Sequence, residues 1–321
     1  MMALGPAYFR SDETLFRAAT GAFALLLTAI VVAIGIQLSR ESMLSIKEFG
    51  WHFWRTDVWD PVAGEFGARP FIWGTLYSSI LALAISTPIA LGIAIFISEL
   101  APGWARRPLV FVTELLAAIP SIVYGLWGIF VLVPFVRQLQ VGTPDWLRGI
   151  PLFTGPPLGV GMLSAALILA IMVIPFSSSV AREVLKAVPQ AQREAAYALG
   201  ATKWEAIRMA LFYARTGIVG AVMLGFGRAL GETMAVTMVI GNNPQITLSL
   251  YAPQYTMAAV IANEFTEAAD DLYLHALVEI GLVLFVITLI VNMISRMFIW
   301  SMGRQRKPGF VRSMAIAEGK A

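Results

Sequence analysis

The chain has 321 residues, 58% of them hydrophobic and 13% charged, with a formal net charge of +3. A mean hydropathy of +0.74 lies far from the soluble composition, in which about a quarter of residues are charged, so a water-soluble globular fold is excluded and an integral membrane protein is expected. Cysteine is absent, which rules out a disulfide framework, a thiolate nucleophile and a Cys-based metal centre.

A helix needs about 20 mainly apolar residues to cross a bilayer. Six windows qualify: residues 15–38, 75–98, 109–136, 158–180, 216–240 and 272–300. They are apolar on every side and rich in Leu, Ala and Ile, whereas barrel strands would alternate in polarity, so an all-α integral membrane protein with six transmembrane helices is predicted. The first window exceeds the h-region of a signal peptide, about 7–15 residues, and no small-x-small cleavage site follows it. Residues 1–14 therefore form an N-terminal segment, 15–300 one membrane domain and 301–321 a basic tail.

Lys and Arg accumulate in alternate connections. Arg10, Arg17, Arg106, Arg107, Arg182, Lys186, Arg193, Lys203, Arg208, Arg304, Arg306, Lys307, Arg312 and Lys320 share one side; Arg40, Lys47, Arg55, Arg69, Arg137 and Arg148 share the other. The positive-inside rule then puts both termini in the cytoplasm. The tail reads as a lipid-surface anchor, and nucleic-acid binding is not expected.

The connection 39–73 places Trp51, Phe53, Trp54, Trp59 and Trp73 among charges and turn residues. Rings in that setting read as headgroup-level anchors, with partner docking as the other reading. Residues 138–157 are rich in Gly and Pro and read as loop. The segment 242–271 lacks Lys and Arg but carries Glu264, Glu267, Asp270 and Asp271, a solvated acidic face.

Pro88, Pro120, Pro134 and Pro175 interrupt the windows. Each removes a backbone donor and kinks its helix, and kinks at Pro120-Ser121 and Pro175 serve either to line a cavity or to pack. The fifth window holds a Gly227-x-x-x-Gly231 spacing that would let another helix approach. It also holds Arg228 and Glu232, one turn apart. A charge at the centre of a span costs about 2.5–3.5 kcal/mol, so such residues face a partner or a substrate path. A guanidinium there suits an oxyanion. The alternative is an internal ion pair with Glu232, although Arg preceding Glu at this spacing is the poorer order for a helix pair. Glu114, Glu279 and His275 are weaker candidates.

Between the fourth and fifth windows, Pro189 stops a helix, residues 190–199 suit a short one, Gly200 sits where a C-terminal cap belongs, and Thr202-Lys203-Trp204-Glu205 is a capping box. The short helix bears Ala191, Arg193, Glu194, Ala195 and Ala196. Its shape suits insertion into the groove of a cytoplasmic partner. No P-loop sequence occurs, so energy must come from elsewhere.

Glu194-Ala195-Ala196, three residues and Gly200 resemble the EAA loop of ABC-importer permeases, whose coupling helix docks in the cleft of an ATPase subunit. This chain departs at Ala210, Leu211, Phe212 and Tyr213, where that family carries Ile-x-Leu-Pro, and the helix break that follows in the family stays open here. Gly227-Arg228-Ala229-Leu230-Gly231-Glu232-Thr233-Met234-Ala235-Val236 resembles a core segment of the phosphate-specific (Pst) ABC permeases of PstC type. So do Leu115-Leu116-Ala117-Ala118-Ile119-Pro120-Ser121-Ile122-Val123-Tyr124-Gly125, Ser98-Glu99-Leu100-Ala101-Pro102 and Ala262-Asn263-Glu264-Phe265.

The resemblance implies a type I ABC importer permease fold with a core over about 73–300 and a coupling loop over about 182–213. It implies inorganic phosphate as substrate along Arg228, Glu232, Ser121 and Tyr124, and ATPase coupling through Glu194, Ala195, Ala196 and Gly200. It further implies a PstA-type permease partner, a PstB-type ATPase dimer and a periplasmic phosphate-binding protein in a bacterial inner membrane. No metal or cofactor is expected. Three other readings stay open: a permease for sulfate or molybdate, a proton-coupled symporter using Glu232, Glu279 and His275, and an intramembrane enzyme, for which no nucleophile–base pair stands out.

Overall fold

The computed structural model describes the backbone of residues 6–304 and the side chains of 15–301. The basic tail lies outside the described residues from 305 onward. Among the described residues, six helices are long and apolar enough to cross a membrane: Leu15–Glu41, Arg69–Leu100, Ser121–Val141, Met162–Lys186, Lys203–Leu230 and Asp271–Ser301. The chain is an all-α multi-pass membrane protein.

In order, α1 (Pro6–Glu41) and α2 (Met43–Phe49) lead to a ribbon of β1 (Trp59–Asp60) and β2 (Glu65–Phe66) that pairs Trp59 with Phe66. Next, α3 (Arg69–Ile95) finishes in a π turn, Phe96–Leu100. Helix α4 (Gly103–Ala118) precedes α5 (Ser121–Trp127), which continues through a second π turn, Gly128–Leu132, into α6 (Val133–Val141). The 138–157 loop contains α7 (Asp145–Arg148). Then come α8 (Met162–Lys186), α9 (Gln190–Ala198), α10 (Lys203–Leu230), α11 (Met234–Val239), α12 (Met257–Glu264) and α13 (Asp271–Arg304). Helices α3 and α8 pack against each other most extensively.

Two expected spans are redrawn. The third does not run 109–136: Ile119 turns extended at ψ 129° before Pro120, and the crossing helix begins at Ser121. The residue before a proline is sterically pushed out of the helical region. Pro88 and Pro175 have the same chemistry yet sit inside continuous helices. Pro108 likewise sits inside α4, which buries none of its residues, so proline alone does not set the break at Ile119. Tyr124 bridges the break, donating its hydroxyl at 2.8 Å to the Leu116 carbonyl, which also accepts from the Ile119 N–H at 3.4 Å.

The fifth span is not one helix over 216–240. It starts at Lys203, runs unbroken past Tyr213 and ends at Leu230, with Gly231, Glu232 and Thr233 forming a break before α11.

The connection 39–73 is more than a lipid anchor. Phe53 is fully buried, and Trp59 meets Phe66 and Phe71 edge-on with centroids 4.9 Å away in each case. Among the five rings named above, Trp51 alone is strongly exposed, at 68%. The acidic segment is likewise tied in: Glu264 Oε2 accepts from Trp59 Nε1 at 2.8 Å and from the Tyr273 hydroxyl at 2.6 Å. Burial raises the pKa of neighbouring Tyr255 above its ordinary value. These residues form a capping core at the end of the bundle opposite the start of α1. A second core surrounds α8 and α11, and a third joins Ala94, Leu185, Val188 and Ala214 at the other end.

Candidate functional site

Arg228 occupies the last turn of α10. A cation there is favoured by the helix dipole. Its Cζ lies 5.5 Å from the centroid of Phe176, near the middle of α8, which sets the guanidinium at about half the depth of the bundle. Its Nε is buried with no hydrogen-bond partner, an arrangement that costs about 1–3 kcal/mol unless something else supplies the acceptor.

The ion pair between Arg228 and Glu232 weighed above is not formed. The helix ends between them, and Glu232 Oε1 instead accepts from the Ala235 backbone at 3.5 Å at the start of α11. Glu232 is half-buried, as are Ser121 and Tyr124. Helix α11 reaches this site because α5 is thin where they cross: a Cβ on Gly125 would stand 2.5 Å from Met238 Sδ, and one on Gly128 2.9 Å from Val239 Cγ1. Beside Tyr124, a cavity of about 310 Å³ is lined by Ile119, Val123, Trp127 and Ile171.

The glycine spacing predicted for close packing is displaced. A Cβ on Gly227 would meet nothing within 4 Å, and on Gly231 only its own helix, so among the described residues no element packs there. Close approach occurs at Gly217, against Val184, and at Gly225, against Ser177 and Val173. The stripe beside Arg228 is open.

The second candidate region is α9. Pro189 opens it, and a Schellman motif closes it: Gly200 N–H binds Tyr197 O at 3.0 Å, and Ala201 N–H binds Ala196 O at 3.0 Å. That motif needs a left-handed residue, which Gly200 supplies at φ +82°. Thr202 then starts α10 through the capping box with Glu205. The Glu-Ala-Ala run is divided by its own helix. Glu194 and Ala195 are exposed while Ala196 is buried against this chain, so the outward face continues through Tyr197 and Leu199, the latter 90% exposed.

Sequence reasoning assigned Arg182 to a loop. It is instead buried near the end of α8, held by Glu114 at 3.1 Å and Glu183 at 2.9 Å. Glu279 accepts from Ser45 at 2.5 Å, and His275 is bonded to the Glu41 carbonyl, so both fasten α1 and α2 to α13. Phe176 went unnoticed beside Pro175, and Glu99 was quoted in a motif without a role.

Residues 86–302 match the family described as "Binding-protein-dependent transport system inner membrane component". The chain is 47% identical over 294 residues to the phosphate transport system permease protein PstC of Mesorhizobium japonicum, covering 90% of each. It is 48% identical over 310 residues to PstC of Haemophilus influenzae, covering 94% of this chain and 98% of that protein. A probable PstC of Methanocaldococcus jannaschii is 39% identical over 261 residues, 79% of this chain and 83% of that one. In fold, the chain is similar to an inward-facing MetNI methionine ABC transporter, with TM-score 0.55 at 17% identity over 72% of this chain and 94% of the other. These relatives are permeases, not enzymes, and such a permease works within a complex of ABC components. Agreement at nearly half of all positions along nine-tenths of the sequence leaves one assignment: the chain belongs to the binding-protein-dependent transport inner membrane components, in their PstC-type branch.

Proposed function

We propose that this chain forms half of the pathway of an ATP-driven phosphate importer. The observation that carries the reading is the half-depth guanidinium of Arg228 with its unpartnered, buried Nε beside Tyr124. Phosphate carries one to two negative charges near neutral pH and offers oxygens at the spacing of a guanidinium fork. Phosphate in transit completes Arg228; Glu232, half-buried across the helix break, limits how tightly the anion is held, and Ser121 and Tyr124 line the same passage. The open Gly227–Gly231 stripe faces a PstA-type permease.

Residues Glu194 and Ala195 dock in an ATPase of a PstB-type dimer, with Gly200 setting the turn and Ala196 anchoring the helix from behind. A periplasmic phosphate-binding protein delivers the substrate. The Lys and Arg distribution favours both termini on the cytoplasmic side of a bacterial inner membrane, with the membrane domain over 15–300. The symporter reading loses two of its relay members, since Glu279 and His275 are committed to Ser45 and the Glu41 carbonyl.

The test is uptake of radiolabelled phosphate into vesicles carrying the complete complex, with ATP supplied on the ATPase side. ATP-dependent uptake that survives excess sulfate and molybdate supports the reading. Uptake driven by a proton gradient without ATP, or abolished by those anions, overturns it.

A further inference from the structure

Besides the packing of buried Ala196, the short helix α9 is tied to the membrane helices by an ion pair. Arg193 Nη2 meets Glu99 Oε1 at 2.6 Å, and its Nε meets Oε2 of the same carboxylate at 3.3 Å. The same guanidinium donates from Nη1 to the Val188 carbonyl at 2.8 Å and from Nη2 to the Leu185 carbonyl at 3.0 Å. The two side chains are only 16% and 13% exposed. One guanidinium thus joins α9, the π turn that finishes α3, and the last turn of α8.

A loop that merely connected two spans would not need such a knot. Coupling between distant sites travels through rigid elements and hydrogen-bonded joints, whereas a flexible connection dissipates a push. Helices α3 and α8 are the most extensively packed pair, and α8 carries Phe176 beneath Arg228. We propose that Arg193 and Glu99 are positioning residues that pass displacement of α9 into α3 and α8, and so to the surroundings of Arg228. They act behind the ATPase-facing residues and touch neither ATPase nor phosphate. The inference rests on α9 being the segment that docks on an ATPase.

The experiment uses the whole complex in proteoliposomes and reads ATP hydrolysed and radiolabelled phosphate taken up in the same vesicles. In Glu99→Gln and Arg193→Lys, phosphate moved per ATP should fall about tenfold, within the usual range of coupling between sites. Copurification of the ATPase should stay at the wild-type level. Should Glu99→Gln fail to assemble, Arg193→Lys, which keeps the charge, carries the test. A wild-type ratio in an assembled variant overturns the proposal. So does an equal fall in hydrolysis and uptake, the signature of a pair that only stabilises the fold. The chain has no cysteine, so Glu99→Cys with Arg193→Cys can be bridged by a cleavable thiol linker. The bridge should restore the ratio and its cleavage should remove it; no recovery with the bridge in place counts against the joint. Leu199→Asp separates the underlying reading. If it leaves ATPase copurification intact and Ala195→Cys cross-links to no ATPase, the docking assignment falls, and the joint with it.

Discussion

The capping core and the surroundings of Arg228 are built from similar residues but finished to different degrees. At the cap, one oxygen of Glu264 satisfies both Trp59 and Tyr273, Asn263 binds the Tyr255 hydroxyl at 3.0 Å, and Phe53 and Phe71 are fully buried. Around Arg228, a buried Nε lacks a partner, α10 and α11 are separated by a break, and Gly227 faces open space. Buried polar groups are nearly always paired in folded proteins, so an exception marks a place that something else completes. The cap is finished by its own chain. The surroundings of Arg228 are left incomplete by the described residues of this chain.

The largest expected effect separates the two regions by stability. Phe71→Ala removes a buried ring set edge-on to Trp59 and tilted against Tyr255. It should destabilise the protein by about 3–5 kcal/mol, as ring deletions in cores do. Thermal unfolding in detergent should show the loss, while phosphate uptake per folded complex stays normal. Arg228→Lys should do the reverse. It keeps the charge and loses the planar fork, so uptake should fall about ten- to a hundredfold, the worth of one charged hydrogen bond of about 1.5–3 kcal/mol. Melting should barely move. Wild-type uptake by Arg228→Lys would remove Arg228 from the pathway.

The sequence carried what depends on local chemistry. Length and hydropathy located all six crossings, and Gly200 with Thr202 and Glu205 marked both ends of the turn after α9. What it hid depends on tertiary support. Pro120 and Pro175 read alike, yet the helix breaks at the first and runs through the second. Arg228 and Glu232 read as one turn of one helix because nothing in an apolar window reveals where Gly231 ends it. Ala195 and Ala196 both read as coupling residues, although the short helix turns the second inward. The aromatic residues of 39–73 read as anchors because their partners, Phe71, Tyr255 and Tyr273, lie in distant segments. Glu99 and Arg193 are separated by 94 positions, so no periodicity links them.

The next effect concerns glycines on one helix. A Cβ on Gly225 would collide with Ser177 and stand 2.9 Å from Val173 Cγ1, whereas one on Gly227 would meet nothing within 4 Å. Gly225→Ala should cost about 1–3 kcal/mol by overpacking. Gly227→Ala should hold or slightly raise the isolated chain's melting temperature, since alanine is the better helix former, and weaken only its association with the partner permease, read by copurification. Equal losses of stability from both would show that α10 is closed on both faces within this chain.

The smallest expected effect is a coupling energy, and it tests the comparison most directly. At the cap, Trp59 and Glu264 share a hydrogen bond of 2.8 Å. Removing the indole leaves Glu264 with Tyr273 alone, and Glu264→Gln exchanges a charged acceptor for a neutral one, so Trp59→Phe and Glu264→Gln should not add in stability, with an interaction term of about 0.5–3 kcal/mol. In the pathway, Arg228 and Glu232 lie on opposite sides of a helix break, and the carboxylate serves the Ala235 backbone. With no bond to share, Arg228→Ala and Glu232→Ala should add within about 0.3–0.5 kcal/mol in complex stability, the ordinary error for independent sites. Both cycles can be read from melting of purified complexes under one set of conditions. A large term between Arg228 and Glu232 would mean that the two charges do neutralise each other across the break, and that phosphate must displace Glu232 before it can reach the guanidinium.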